Sequence, residues 1–336
     1  MAPRRADRDW AAFGRTLVLA AAGLLAGTLA LTVLVDPYDT GRVALLSRGA
    51  VRPQGPRTAS ALRGRDPAFA GAVIGNSHIQ LVEPAELTRV TGVPFVQLSV
   101  PATGPGEQFA LLDWFLRHHA RPEALVLSAD AFWCTDDPAF QGEQPFPFWL
   151  VGDGPAYLRG LARFSAVQEA VNRLGWLLNA RRRLAAADGW WNYEANYLGQ
   201  GFGTDPRLRA RLDRPAGPEP EAHRAGPFPI AGRLRTELAR VPAATPVVLV
   251  FPPVYAGAEP PSGSPRARAE AACREAVRGA LAAHPASAVV DWRVGRPEAR
   301  DADQFFDRSH YRLPIARALT AEIASEIVRL RARAAR

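Results

Sequence analysis

The pattern of apolar and polar positions divides the chain in two. Residues 16–35 read TLVLAAAGLLAGTLALTVLV, without a single charge. As a helix such a run extends about 30 Å, the thickness of a bilayer's hydrocarbon core. From residue 66 to 333 the pattern changes to short apolar runs alternating with helical spacing. Residues 70–75, 94–100, 124–127, 246–251 and 287–292 read as strands bounded by turn residues. Residues 83–91, 106–119, 266–283 and 314–333 read as helices. Phe109, Leu112, Phe115 and Leu116 fall on one side of the second, and Ile315, Leu319, Ile323 and Ile327 on one face of the last. Near-continuous apolar strands separated by helices predict an α/β domain, its parallel sheet covered on both faces. Residues 36–65 read as a Pro/Arg-rich connector, and 131–240 as a long irregular stretch holding most of the aromatics.

Charge orients the first segment. Arg4, Arg5, Arg8 and Arg15 precede it, with Trp10 and Phe13 placed for the interface, and Asp36 and Asp39 follow. The positive-inside rule puts residues 1–15 in the cytoplasm and the main domain outside, in the periplasm. A cleaved signal peptide is the runner-up, but its apolar core spans about 7–15 residues and ends in a small-residue site not found here. Residues 16–35 therefore read as an uncleaved signal anchor whose partner is the lipid bilayer. The net charge of +8 would suggest nucleic acid. However, all 41 basic residues are Arg, beside much Ala, Gly and Pro, which fits a coding bias better than a binding patch. The excess also sits largely at the two ends, in residues 1–15 and from Ile327 onward. No nucleic-acid partner is expected.

Composition narrows the chemistry further. With 48% hydrophobic residues the chain can build a core, which excludes wholesale disorder. Two cysteines are too few for a disulfide scaffold or a Cys-rich zinc module. Neighbouring strands could bring Cys134 and Cys273 together, but two buried thiols are the expectation. No HExxH, CxxC or P-loop pattern occurs, and neither metal nor cofactor is expected. His118 and His119 end a helix, where an imidazole satisfies the last carbonyls.

In parallel sheets ligands sit outside the carboxyl ends of the strands, so reactive residues just after a strand carry the interest. Gly75-Asn76-Ser77-His78 follows the first strand. A serine on such a turn projects its hydroxyl at the sheet edge and its N–H toward an oxyanion, although serine also caps helices. After the second strand, Gly104 or Gly106 could offer a bare N–H, or both belong to an ordinary Gly/Pro loop. Asp307-Arg308-Ser309-His310 stands just before the last helix, where the carboxylate can orient the imidazole. Trp190, Trp191 and Tyr193 group flat rings with amides, as sugar-facing surfaces and packed lids both do.

On Gly75-x-Ser77 and Asp307-x-x-His310 the chain resembles the SGNH/GDSL hydrolase superfamily over about residues 66–330, with 131–240 as an insertion. The resemblance implies a three-layer α/β/α sandwich of about five parallel strands. It also implies Ser77 as nucleophile, with His310 and Asp307 completing a triad. An anchor ahead of the domain resembles the envelope branch, with its esterases and O-acetyltransferase-like proteins of alginate and related polysaccharide systems. The implied activity is that of a serine esterase or O-acyltransferase on acyl esters, possible partners being a glycan and other envelope-complex subunits. The family's third block offers Gly-x-Asn-Asp, whose Asn donates to the oxyanion. Here the third strand runs Leu125-Val126-Leu127-Ser128-Ala129-Asp130, leaving Asn76 and the N–H groups of Ser77 and Gly104 as donors. That departure favours the competing reading, a catalytically silent scaffold or glycan-binding component.

Overall fold

The computed structural model describes residues 5–43, 51–134, 137, 139–142, 144–179, 183–212, 214 and 226–334, without the side chains of 5–8. Arg4 and the side chains of Arg5 and Arg8 lie outside the described residues, as do parts of the stretches 36–65 and 131–240. The helices are α1 (Arg5–Val35), α2 (Pro56–Arg63), α3 (Pro84–Thr91), α4 (Pro105–His118), α5 (Gly154–Leu161) and α6 (Phe164–Leu178). They continue with α7 (Glu194–Gly199), α8 (Pro206–Leu212), α9 (Pro229–Leu238), α10 (Pro265–Leu281) and α11 (Leu313–Ala334). The strands are β1 (Gly71–Ile74), β2 (Phe95–Gln97), β3 (Ala124–Ser128), β4 (Val247–Phe251) and β5 (Ser287–Asp291).

The chain divides into two compact units, Met1–Pro53 with Trp149–Leu184 and Gln54–Phe148 with Ala185–Arg336. The first holds α1, α5 and α6. Within α1, Asp9–Val35 is long and apolar enough to cross a membrane. The helix ends at Asp36, whose carboxylate accepts from the Thr40 N–H at 3.0 Å, the Gly41 N–H at 2.7 Å and the Tyr157 hydroxyl at 3.1 Å. Residues 36–65 are thus more than a connector. Their start is folded into the first unit, and α2 belongs to the second, where Ala61 O accepts the Trp114 indole N–H at 2.9 Å.

The second unit is built on a five-stranded parallel sheet of order β2-β1-β3-β4-β5. Alternate residues face opposite sides, as the pleat requires. Val73, Val126, Val248 and Val250 meet Leu87 of α3 and Ile315, Leu319, Ile323 and Ile327 of α11. Ala72, Leu125, Leu127 and Leu249 meet Phe109 and Leu112 of α4, Leu234 of α9 and Val277 of α10. Helices therefore cover both faces, which is why the strands read as unbroken apolar runs. Local signals set the helix ends. Pro84, Pro105 and Pro265 stand in first turns, Ser264 caps α10 by accepting from Ala267 N–H at 3.1 Å, and Gly92 ends α3 in the left-handed conformation at φ 73°.

Cys134 and Cys273 form a disulfide, not two thiols. Cys134 closes the single turn Ala131–Cys134 directly after β3, and α10 packs over that turn. Their Cα atoms stand 5.7 Å apart, within the span a disulfide bridges.

Candidate active site

The order of the sheet determines where a ligand can enter. After β1 the chain crosses to one side for β2, and thereafter builds on the other through β3, β4 and β5. The crevice between the carboxyl ends of β1 and β3 is the point of that reversal, where open parallel sheets bind ligands. Asn76, Ser77 and His78 leave β1 there, and Asp130 follows β3. Gly75 is demanded by packing: a Cβ at that position would stand 2.7 Å from Ser128 Cβ and 2.8 Å from Ile79 Cγ2. The glycine therefore lets β1 and β3 close up beneath the serine; the space it vacates goes to these neighbours and not to a substrate.

Ser77, His310 and Asp307 come together across 233 residues of sequence. Ser77 Oγ lies 2.8 Å from His310 Nε2, and His310 Nδ1 lies 2.8 Å and 2.9 Å from the two Asp307 oxygens. The carboxylate on Nδ1 favours the tautomer whose Nδ1–H donates to Asp307 and whose Nε2 lone pair faces the serine hydroxyl. Asp307 Oδ1 also accepts the backbone N–H groups of Ser309 and His310, each at 2.8 Å. Burial pushes the Asp307 carboxyl up, but the His310 imidazole and these two amides outweigh it and hold the group below its ordinary value.

Aromatic rings wall the imidazole. His78, Tyr193 and Tyr197 have centroids 5.3, 5.7 and 5.3 Å from His310. The Tyr197 phenol also faces the Asp307 charge. Its pKa is raised by burial and by that neighbouring charge, so the phenol keeps its proton and remains a donor. Tyr193, expected among the glycan-facing rings, is only 3% exposed, and its hydroxyl donates to Tyr311 O at 3.0 Å. It belongs to the core, where it backs the His310 imidazole. Trp191 is exposed and Trp190 half-buried; both stand on the segment that follows Asp188, whose carbonyl accepts the Gln97 N–H of β2 at 2.7 Å.

Two expected oxyanion donors are engaged elsewhere. The Gly104 N–H donates to Glu107 Oε2 at 2.9 Å, the capping bond that starts α4. The Glu107 carboxylate, fully buried, also accepts the Gly142 N–H at 2.9 Å. The Asn76 carboxamide donates to Thr103 O at 3.2 Å and to Asp130 Oδ2, while its oxygen accepts the His78 N–H at 3.0 Å. Both amide hydrogens are thereby used, and Asn76 is 2% exposed. The Ser77 N–H has no partner among the described residues.

Sequence reasoning missed a second imidazole–carboxylate pair. His78 Nδ1 lies 3.2 Å from Asp130 Oδ2, and the Tyr311 hydroxyl donates to His78 O at 2.7 Å. The signal was present, because His78 adjoins Ser77 and Asp130 follows the next strand of the crevice. A cavity of about 260 Å³ opens beside the triad, with His78, Asp130, Phe132, Val254, Arg308 and Ser309 in its lining. Among the described residues no group of His, Cys, Asp and Glu is arranged to hold a metal ion. Compared with known proteins, the chain matches no family model and no curated protein.

Proposed function

We propose that this chain is a membrane-anchored, extracytoplasmic serine enzyme acting on acyl esters, of the type its resemblance to SGNH/GDSL hydrolases implies. The observation that carries this reading is the continuous relay from Ser77 Oγ through His310 to Asp307, with 2.8 Å at both junctions. Such contacts between residues remote in sequence match the geometry that nucleophilic catalysis by serine needs. In the proposed reaction Ser77 Oγ bonds to the ester carbonyl carbon as His310 Nε2 takes the hydroxyl proton. The Ser77 N–H donates to the oxyanion that forms. Collapse of the tetrahedral species breaks the bond to the alcohol oxygen, which leaves with the proton from His310. Attack by water on the acyl-enzyme then gives an esterase; attack by a sugar hydroxyl gives an O-acyltransferase.

Two features support the compartment. One is α1, with Arg4, Arg5, Arg8 and Arg15 ahead of its uncharged run 16–35, and the other the disulfide, a bond that persists in oxidising compartments. The exposed Trp191 beside Trp190 supports a glycan as the acyl carrier or acceptor, and other envelope-complex subunits fit as partners. One observation favours the second reading, a catalytically silent scaffold or glycan-binding component: the Asn76 carboxamide and the Gly104 N–H are both committed away from the serine.

Hydrolysis of p-nitrophenyl acetate by the detergent-solubilised full chain separates the two readings. The enzyme reading expects turnover that falls to background in Ser77→Ala and His310→Ala. Turnover unchanged in Ser77→Ala would contradict it.

A further inference from the structure

The first unit carries an apolar surface that its own packing leaves open. On α6, Ala166, Ala170 and Arg173 form the buried face. Around the helix from them, Phe164, Val171 and Leu178 are 77%, 64% and 86% exposed, with Val167 and Leu174 half-buried between the two rows. Ser165, Gln168 and Asn172 occupy the remaining, polar side and are exposed. At 100° per residue the apolar sector covers roughly half the circumference, about twice what contact with one neighbour requires. On α5, the exposed Leu158 adds to the same kind of surface.

The position of these helices within the unit says what covers that surface. Both are fastened to the end of α1. The Arg173 guanidinium donates to Val35 O and to the Asp39 carboxylate, and the Tyr157 hydroxyl of α5 donates to Asp36 at 3.1 Å. Leu31 and Leu34, on the last turns of α1, are themselves exposed. Two helices that pack on one another, α1 and α6, thus both carry apolar residues their own unit leaves open. An aromatic cluster packs just past the end of α1. Tyr38 and Trp149 have centroids 5.3 Å apart, and Trp149 and Tyr157 6.0 Å, the residue types that concentrate where a helix leaves the hydrocarbon. Arg159 and Arg163 are exposed on and between the two helices. Arginines beside an apolar row suit a helix lying among lipid headgroups.

We infer that α5 and α6 form an interfacial element, with the Phe164–Val171–Leu178 row immersed in the outer part of the bilayer that α1 crosses. This rests on the reading of α1 as a membrane-spanning anchor and is independent of the Ser77 chemistry. It gives the chain a second hold on the membrane, so that an anchor otherwise free to swivel about one helix is fixed in orientation.

Site-directed spin labelling of the full chain in phosphatidylethanolamine/phosphatidylglycerol nanodiscs tests it. The native cysteines form a disulfide, so labels introduced by Phe164→Cys, Val171→Cys and Leu178→Cys report alone. Gln168→Cys and Asn172→Cys report the polar side, and Leu25→Cys, on α1, serves as the lipid standard. Collision with oxygen, which partitions into lipid, should exceed collision with a water-soluble nickel chelate at 164, 171 and 178, as at 25, with the order reversed at 168 and 172. Row positions as open to nickel as 168 and 172 would overturn the inference. So would row positions closed to both reagents, the signature of a covering protein. Nickel access at 25 would instead bring down the spanning reading, and this inference with it.

Discussion

Asp307 sits where burial favours its neutral form, yet the His310 ring and two backbone N–H groups keep it ionised. Its folded pKa lies below the unfolded one, near 3.9. The stability it contributes is therefore complete above that unfolded value and is lost as pH falls through the lowered folded value. Denaturant melts should show wild type more stable than Asp307→Asn at pH 7, with the gap closing toward pH 3. A gap independent of pH contradicts the assignment. The same substitution should lower kcat by on the order of 10⁴-fold, because an amide there no longer selects the productive tautomer. The meeting of Ser77, His310 and Asp307 was legible because a serine directly after a strand and Asp-x-x-His on one turn are both local patterns. Asn76 and Gly104 misled for a different reason: an unpaired donor and a satisfied one look alike in a sequence. Glu107, three residues beyond Gly104, has the spacing of a capping box and was the available clue.

At the scale of elements, Glu107 joins the start of α4 to the loop that carries Gly142. Glu107→Ala orphans two N–H groups, at roughly 1–3 kcal/mol for each buried donor left without an acceptor. Glu107→Gln keeps one acceptor oxygen and should lose about half as much. Urea titration of both variants checks this, and equal losses would show that packing, not the two hydrogen bonds, sets the effect. The five strands were readable to within a few residues because β1 to β4 are buried throughout and the edge strand β5 is at least half-buried. β2 comes out shorter than the predicted 94–100, although Leu98 and Val100 still donate to Val73 O and Gly75 O at 2.8 and 3.0 Å. Residues 149–184 were not readable as part of an N-terminal unit. Nothing local tells that α5 and α6 pack on α1, since the bonds that join them, Arg173 to Asp39 and Tyr157 to Asp36, span more than a hundred residues.

Over the whole molecule, one covalent link ties β3's exit turn to α10 across 139 residues. Closing a loop of that length stabilises the fold by about 5 kcal/mol in the chain-entropy treatment. Reduction, or paired Cys134→Ser and Cys273→Ser substitution, should lower the thermal midpoint by many degrees. An unchanged midpoint would show that the sheet and its helices hold this region without the bond. The Ser77–His310–Asp307 relay is likewise a property of the whole fold of that unit, since its serine and histidine meet only when the turn after β1 and the turn before α11 are both in place. A fluorophosphonate probe reads it directly, because only an activated serine bonds to the phosphorus. With the folded full chain, mass spectrometry should place one adduct on the peptide that contains Ser77. Labelling should disappear in Ser77→Ala, fall sharply in His310→Ala and vanish on denaturation. Native protein that takes no label, or an adduct that persists in Ser77→Ala, would contradict the account.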